Sequence, residues 1–158
     1  MKNSKPKLSL NEFLPYRLTK LSGIISRTLA ERYSEQFDLT IHEWRVVAII
    51  GEQPGLTARQ VSDLASLDKV SISRAIERLE KSGRIQRKVT PKDRRAYALH
   101  LTDKGHDVLE RIIPLAQDFE RNLLSSLDQQ DLAKLLEILA KLDQQADQLS
   151  KDKLILSD

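Results

Sequence analysis

The chain of 158 residues contains no cysteine. Disulfide bridges, a thiolate nucleophile and a cysteine-ligated zinc site are thereby excluded, and a reducing cytoplasm is the expected home. Long hydrophobic runs are missing too. The longest unbroken apolar stretch is Val46 to Ile50, against the roughly 20 residues that cross a bilayer. The N-terminal lysines precede no apolar segment of signal-peptide length, so neither export nor a membrane partner is expected. His42, His100 and His106 have no metal-ligand spacing, no glycine-rich loop could cradle a phosphate, and no serine sits in a nucleophile-elbow pattern. Neither an enzyme nor a cofactor or metal site is read from such a sequence.

An excess of one charge sign is also absent overall, with 26 basic against 23 acidic side chains, but the balance is local. Residues 1–67 carry nine basic and seven acidic groups, residues 68–95 ten and four, and residues 96–158 seven and twelve. A short basic segment beside an acidic C-terminal third suits a molecule whose one face meets a polyanion, either nucleic acid or an anionic membrane. The bland alternative is a solvated basic face. With 40% apolar residues the chain can build a core, and its length suits one ordinary domain with an appended helical arm.

Hydrophobic spacing orders the rest. Residues 1–9 read as a flexible arm. From Leu10 a long first helix is predicted, with Leu14, Leu18, Leu21, Ile25 and Leu29 at three- and four-residue steps. Thr40 and Glu43 have the form of a capping box, as do Thr57 and Gln60, and each opens a short helix. Asp68 is a good N-cap for a fourth helix whose Val70, Ile72, Ala75, Ile76 and Leu79 form its apolar side, ending at Gly83. Residues 85–89 and 97–101 alternate around a charged turn and read as a β-hairpin. Thr102 caps a fifth helix that Pro114 should bend, and Asp128 caps a sixth with a long leucine stripe from Leu132 to Leu149.

The expected fold is therefore mainly α with a small hairpin wing. A winged helix-turn-helix lobe spans residues 39–102, and residues 10–38 and 103–158 form a helical dimerisation region. In such a lobe the second helix of the motif enters the major groove and the wing reaches the neighbouring backbone. Lys69, Ser71, Ser73, Arg74 and Arg78 lie on the polar side of that helix, where short hydroxyls permit close approach and an arginine reaches a guanine edge or a phosphate. Thr57, at the start of the preceding helix, joins this set. At the hairpin tip Lys92, Arg94 and Arg95 supply cations, with Asp93 holding one of the arginines in place. The leucine stripe, the tail Leu154-Ile155-Leu156 and the Leu8 and Leu10 pair all lack a partner inside a compact lobe, and symmetric pairing into a homodimer would bury them.

The run Ser71-Ile72-Ser73-Arg74-Ala75-Ile76-Glu77-Arg78-Leu79-Glu80-Lys81-Ser82-Gly83, then Asp93-Arg94-Arg95 and Leu101-Thr102-Asp103-Lys104-Gly105, resembles the MarR-type transcriptional regulators. The resemblance extends over the six-helix order from about residue 11 to residue 149. It departs from the family at Arg84, where an apolar residue is usual, and in the shortness of the wing. Arg84 is accordingly expected to add a phosphate contact. The resemblance implies an obligate homodimer that binds a pseudo-palindromic operator on double-stranded DNA, with an effector pocket between the dimer helices and the lobe.

For that pocket, a helical wheel puts Phe13, Arg17, Leu21, Ile24 and Thr28 on one face of the first helix. Arg17 among apolar neighbours either snorkels or waits for an anion such as a carboxylate. The resemblance adds Trp44, Arg45 and His106, although Trp44 also suits a plain core position. The stretches 13–18 and 41–46 look like regulators of aromatic-acid degradation. The functional expectation is thus a repressor released by a small aromatic carboxylate, a phenolic or hydroxycinnamate-like acid or its thioester. The competing expectation is an architectural or effector-independent winged-helix DNA-binding protein.

Overall fold

The computed structural model describes residues 7–65, 67–89 and 97–155, with side chains described as far as Asp152. Six helices and one antiparallel hairpin follow in the order α1 (Leu14–Phe37), α2 (Ile41–Glu52), α3 (Ala58–Ala65), α4 (Lys69–Lys81), β1 (Ile85–Val89), β2 (Tyr97–Leu101), α5 (Asp103–Leu123) and α6 (Gln129–Ile155). Two compact units divide the chain at Ala116 and Gln117. None of the described helices is long and apolar enough to cross a membrane.

Helix α1 begins at Leu14, four residues later than its apolar spacing predicts. The chain before it closes turns through Phe13 N donating to the Ser9 and Leu10 carbonyls. Pro15 sits in the first turn, where its missing N–H costs no helical bond. At the other end Asp38 adopts a left-handed conformation with φ 50° and donates its N–H to the Ser34 carbonyl.

Each predicted cap is present. Glu43 N donates to Thr40 Oγ1 while Thr40 N donates to Glu43 Oε2. The same reciprocal pair joins Thr57 and Gln60. Ser71 N donates to Asp68, Gly105 N to Thr102 Oγ1, and Asp131 N to Asp128. Gly83 takes φ 71°, the left-handed conformation that stops α4.

In the first unit, α2, α3 and α4 bury Val46, Val47, Ile50, Val61, Ile72, Ile76 and Leu79 against Tyr33 of α1 and Leu99 of β2. The hairpin pairs Ile85 with Leu101 and Val89 with Tyr97. Its inner strand is held on the far side as well, because Gly55 N donates to the Leu99 carbonyl and Leu99 N donates to the Leu56 carbonyl. That second edge makes the hairpin part of the lobe, which an isolated two-stranded ribbon could not be.

Helix α5 starts beside the end of α4. Thr102 Oγ1 donates to the Gly83 carbonyl and Thr102 N to the Arg84 carbonyl. A methyl group built on Gly105 would fall onto that Arg84 oxygen, so only glycine fits there. Pro114 lies inside α5, which continues past it to Leu123. In the second unit, Leu136 and Leu149 of α6 are among the most exposed large apolar side chains, and Glu137 is flanked by Lys134 and Lys141. These two ammonium groups hold the Glu137 carboxyl below its ordinary pKa.

Candidate nucleic-acid interface and effector face

Helix α4 turns an amphipathic segment into a polar, cationic outer surface. Ile72, Ala75, Ile76 and Leu79 are buried, whereas Lys69, Ser73, Arg74 and Arg78 are exposed on the outer side. The Asp68 carboxylate fixes the helix start, accepting from Ser71 N at 2.9 Å and from Ser71 Oγ at 2.6 Å. Those bonds lower the Asp68 pKa. Ser71 is therefore partly a capping residue, its hydroxyl proton directed at Asp68. Thr57 is likewise engaged in its cap with Gln60.

Three features of this surface are not where the sequence reading placed them. Val70, assigned to the apolar side, is 59% exposed beside Lys69 on the outer face. At about 100° per residue Val70 stands on the opposite side of the helix from Ile72, Ala75, Ile76 and Leu79, so it faces outward with the polar side chains. Arg59, absent from the sequence reading, lines a crevice of about 230 Å³ between α3 and α4 together with Lys69, Ser62 and Ser73. Its position one step after Ala58 in a capped helix was the available signal.

Arg84 is the third correction. Its Nη1 donates to the Asp38 carbonyl at 3.1 Å and its Nη2 to the Phe37 carbonyl at 2.6 Å. The guanidinium caps the C-terminus of α1, where unpaired carbonyls gather negative partial charge, and is committed there instead of to phosphate. This explains how a cation is accommodated at a position the family usually fills with an apolar side chain.

In the wing, Arg87 donates to Glu80 of α4 at 2.8 Å, which raises the arginine pKa. Val89 and Tyr97, paired at the distal end of the described hairpin, are exposed. The expected tip residues Lys92, Asp93, Arg94 and Arg95 lie outside the described residues.

The eight effector residues divide. Arg17, Leu21 and Ile24 line a shallow cavity of about 240 Å³ with Asn11, Tyr16 and Lys20. Phe13 is the exposed N-cap of α1, and the Thr28 hydroxyl donates to the Ile24 carbonyl. Trp44 packs on Tyr33 with ring centroids 5.3 Å apart, and Arg45 donates to Ser26 Oγ at 3.3 Å. His106 is exposed on the first turn of α5. One cavity thus gathers three of the eight, while Trp44 serves the core contact of α1 with α2. Tyr33 Oη, Trp44 Nε1 and His42 Nδ1 are buried without a hydrogen-bond partner among the described residues, and burial pushes the Tyr33 phenol pKa up.

Comparison with known proteins bears on the family and the fold. Residues 37–96 match the sequence profile of the MarR family. Over 160 residues the chain is 28% identical to the transcriptional repressor MprA of Escherichia coli K12, covering 96% of this chain and 91% of that protein. Over 96 residues it is 32% identical to the HTH-type transcriptional regulator BilQ of Clostridium symbiosum, 61% of this chain and 67% of the relative. The crystal structure of a MarR/EmrR family regulator from Acinetobacter sp. ADP1 has a TM-score of 0.83 at 24% identity, covering 89% of this chain and 99% of that one. That last likeness is one of fold.

Proposed function

The chain belongs to the MarR family of winged helix-turn-helix transcriptional regulators, DNA-binding proteins and not enzymes, and on that footing we propose that it is a homodimeric repressor. Its operator would be pseudo-palindromic, read by α4 in the major groove and flanked by the wing. The observation that carries this reading is the outer face of α4, where Lys69, Ser73, Arg74 and Arg78 stand exposed above a fully buried apolar side. Cations there attract phosphate, and the short Ser73 side chain allows the helix to approach base edges. The similarity to a protein named as a repressor supports the direction of control. Dimerisation is supported by the apolar side chains left exposed on α1, such as Leu14, Leu18 and Leu21, and by Leu136 and Leu149 on α6.

The effector in this proposal is a small aromatic carboxylate bound at Arg17. The cavity there sets two cations, Arg17 and Lys20, beside the apolar Leu21 and Ile24 and the Tyr16 ring, an arrangement suited to a carboxylate on a flat ring. Trp44, Arg45, Thr28, Phe13 and His106 would contribute only if ligand binding rearranged this face.

A band-shift assay on a duplex enriched from a random pool by the protein, titrated with benzoates and hydroxycinnamates, tests both halves. A releasing acid should bind in the micromolar range, roughly 8 kcal/mol. Arg17→Lys keeps the charge but loses the planar fork, so it should weaken the acid and leave duplex affinity nearly unchanged. An Arg17→Lys protein released by the acid as readily as the parent would remove Arg17 from the site. Binding with little sequence preference and no release by any acid would favour the architectural alternative.

A further inference from the structure

We propose that Glu43 is a positioning residue for DNA recognition, holding Arg78 of α4 in the orientation that reads DNA; the inference rests on the DNA-binding reading of α4 given above. Glu43 is only 3% exposed and is, with Ser62, one of two buried polar side chains among the described residues. Its carboxylate is divided between two tasks. Oε2 accepts from Thr40 N at 2.6 Å, closing the start of α2, and Oε1 lies 3.0 Å from Arg78 Nε.

The first task does not call for a charge. The same chain closes α3 with Thr57 and Gln60, an equivalent box in which the residue answering to Glu43 is neutral. Burying a carboxylate is costly unless it is paired, so a glutamate at this place signals a partner that needs it. That partner is Arg78, 61% of which remains exposed. A contact through Nε does not itself use the edge formed by the two Nη groups, the edge that makes paired hydrogen bonds to a phosphate or a guanine. A long exposed side chain ordinarily loses rotamer freedom on binding. Here the buried carboxylate has already removed part of it.

The arrangement makes a prediction of sign that charge alone would reverse. Removing an acid near a polyanion should tighten binding by simple electrostatics, whereas releasing Arg78 should weaken it. Glu43→Gln keeps the cap in the manner of Gln60 and leaves Arg78 in solvent, so the melting temperature should stay near that of the parent. Affinity for the enriched duplex should fall on the order of 3- to 10-fold per half-site. In an Arg78→Ala background the same change should have no further effect, the coupling a double-mutant cycle isolates.

Band-shift titrations of the parent, both single variants and the double variant, with thermal melts on the same preparations, decide the matter. Glu43→Gln binding as tightly as the parent, or tighter, overturns the proposal and leaves the DNA-binding reading intact. So does an undiminished loss in the Arg78→Ala background, which would mean that Glu43 acts through something else. A parent protein that enriches no duplex from the pool overturns the DNA-binding reading and this inference with it.

Discussion

At the residue scale, Arg74 stands exposed on α4 beyond the capped start of the helix, and the proposed docking of α4 in the major groove makes it the candidate for base readout. Arg74→Ala should cost about 1–3 kcal/mol on the enriched duplex and less on a scrambled one. Equal losses on both duplexes, measured by band shift, would make Arg74 a phosphate contact only. Asp68 predicts a pH effect. Its carboxyl pKa is lowered in the folded state by the Ser71 hydroxyl and amide, so the cap stabilises α4 above the ordinary carboxylate pKa. That contribution is lost as pH falls through the lowered folded value. Asp68→Asn still caps but cannot titrate, so thermal melts through the acid range should show a shallower decline for the variant. Single residues were also where sequence reading failed. Arg84 reads as a free surface cation although its carbonyl partner lies 46 positions away, and Glu43 is legible as the capping partner of Thr40 but not as the partner of Arg78, 35 positions on; only the packed lobe creates these proximities.

Secondary-structure elements were far more legible. Caps at Thr40, Thr57, Asp68, Thr102 and Asp128 are local chemistry, set within three residues, and each appears as the sequence dictates. The start of α1 was misplaced because Leu10 fits the apolar spacing while the helix has no side-chain cap before Pro15 to mark its beginning. The pairing of Gly55 and Leu56 with Leu99 was invisible, since residues with so short an extended stretch carry no alternating pattern. The junction of α4, the wing and α5 depends on Gly105, whose missing side chain admits the Arg84 carbonyl. Gly105→Ala should destabilise the fold by about 1–3 kcal/mol, the usual range for overpacking, read as a lower midpoint in urea. An unchanged midpoint would show that the junction can yield.

For the whole molecule, binding through phosphates releases counterions, so log K for duplex DNA should fall with log salt at about −0.9 per phosphate neutralised. Arg78→Ala should reduce that slope if its outward edge meets a phosphate and leave it unchanged if it meets a base. The basic segment at residues 68–95 marks this surface in the charge distribution, but composition does not say which cations face outward. Arg84 and Arg87 both fall in the most basic segment, yet one caps α1 and the other pairs with Glu80.

The two-sided anchorage of Leu99 bears on what happens when the chain is cut. Trypsin cleaves after lysine and arginine, and the sequence between β1 and β2 contains Lys92, Arg94 and Arg95. Cleavage there separates the covalent chain into two pieces of unequal length, but β2 would still be bonded to β1 on one edge and to Gly55 and Leu56 on the other. The nicked molecule should therefore survive native mass spectrometry as a single particle and come apart only in denaturant.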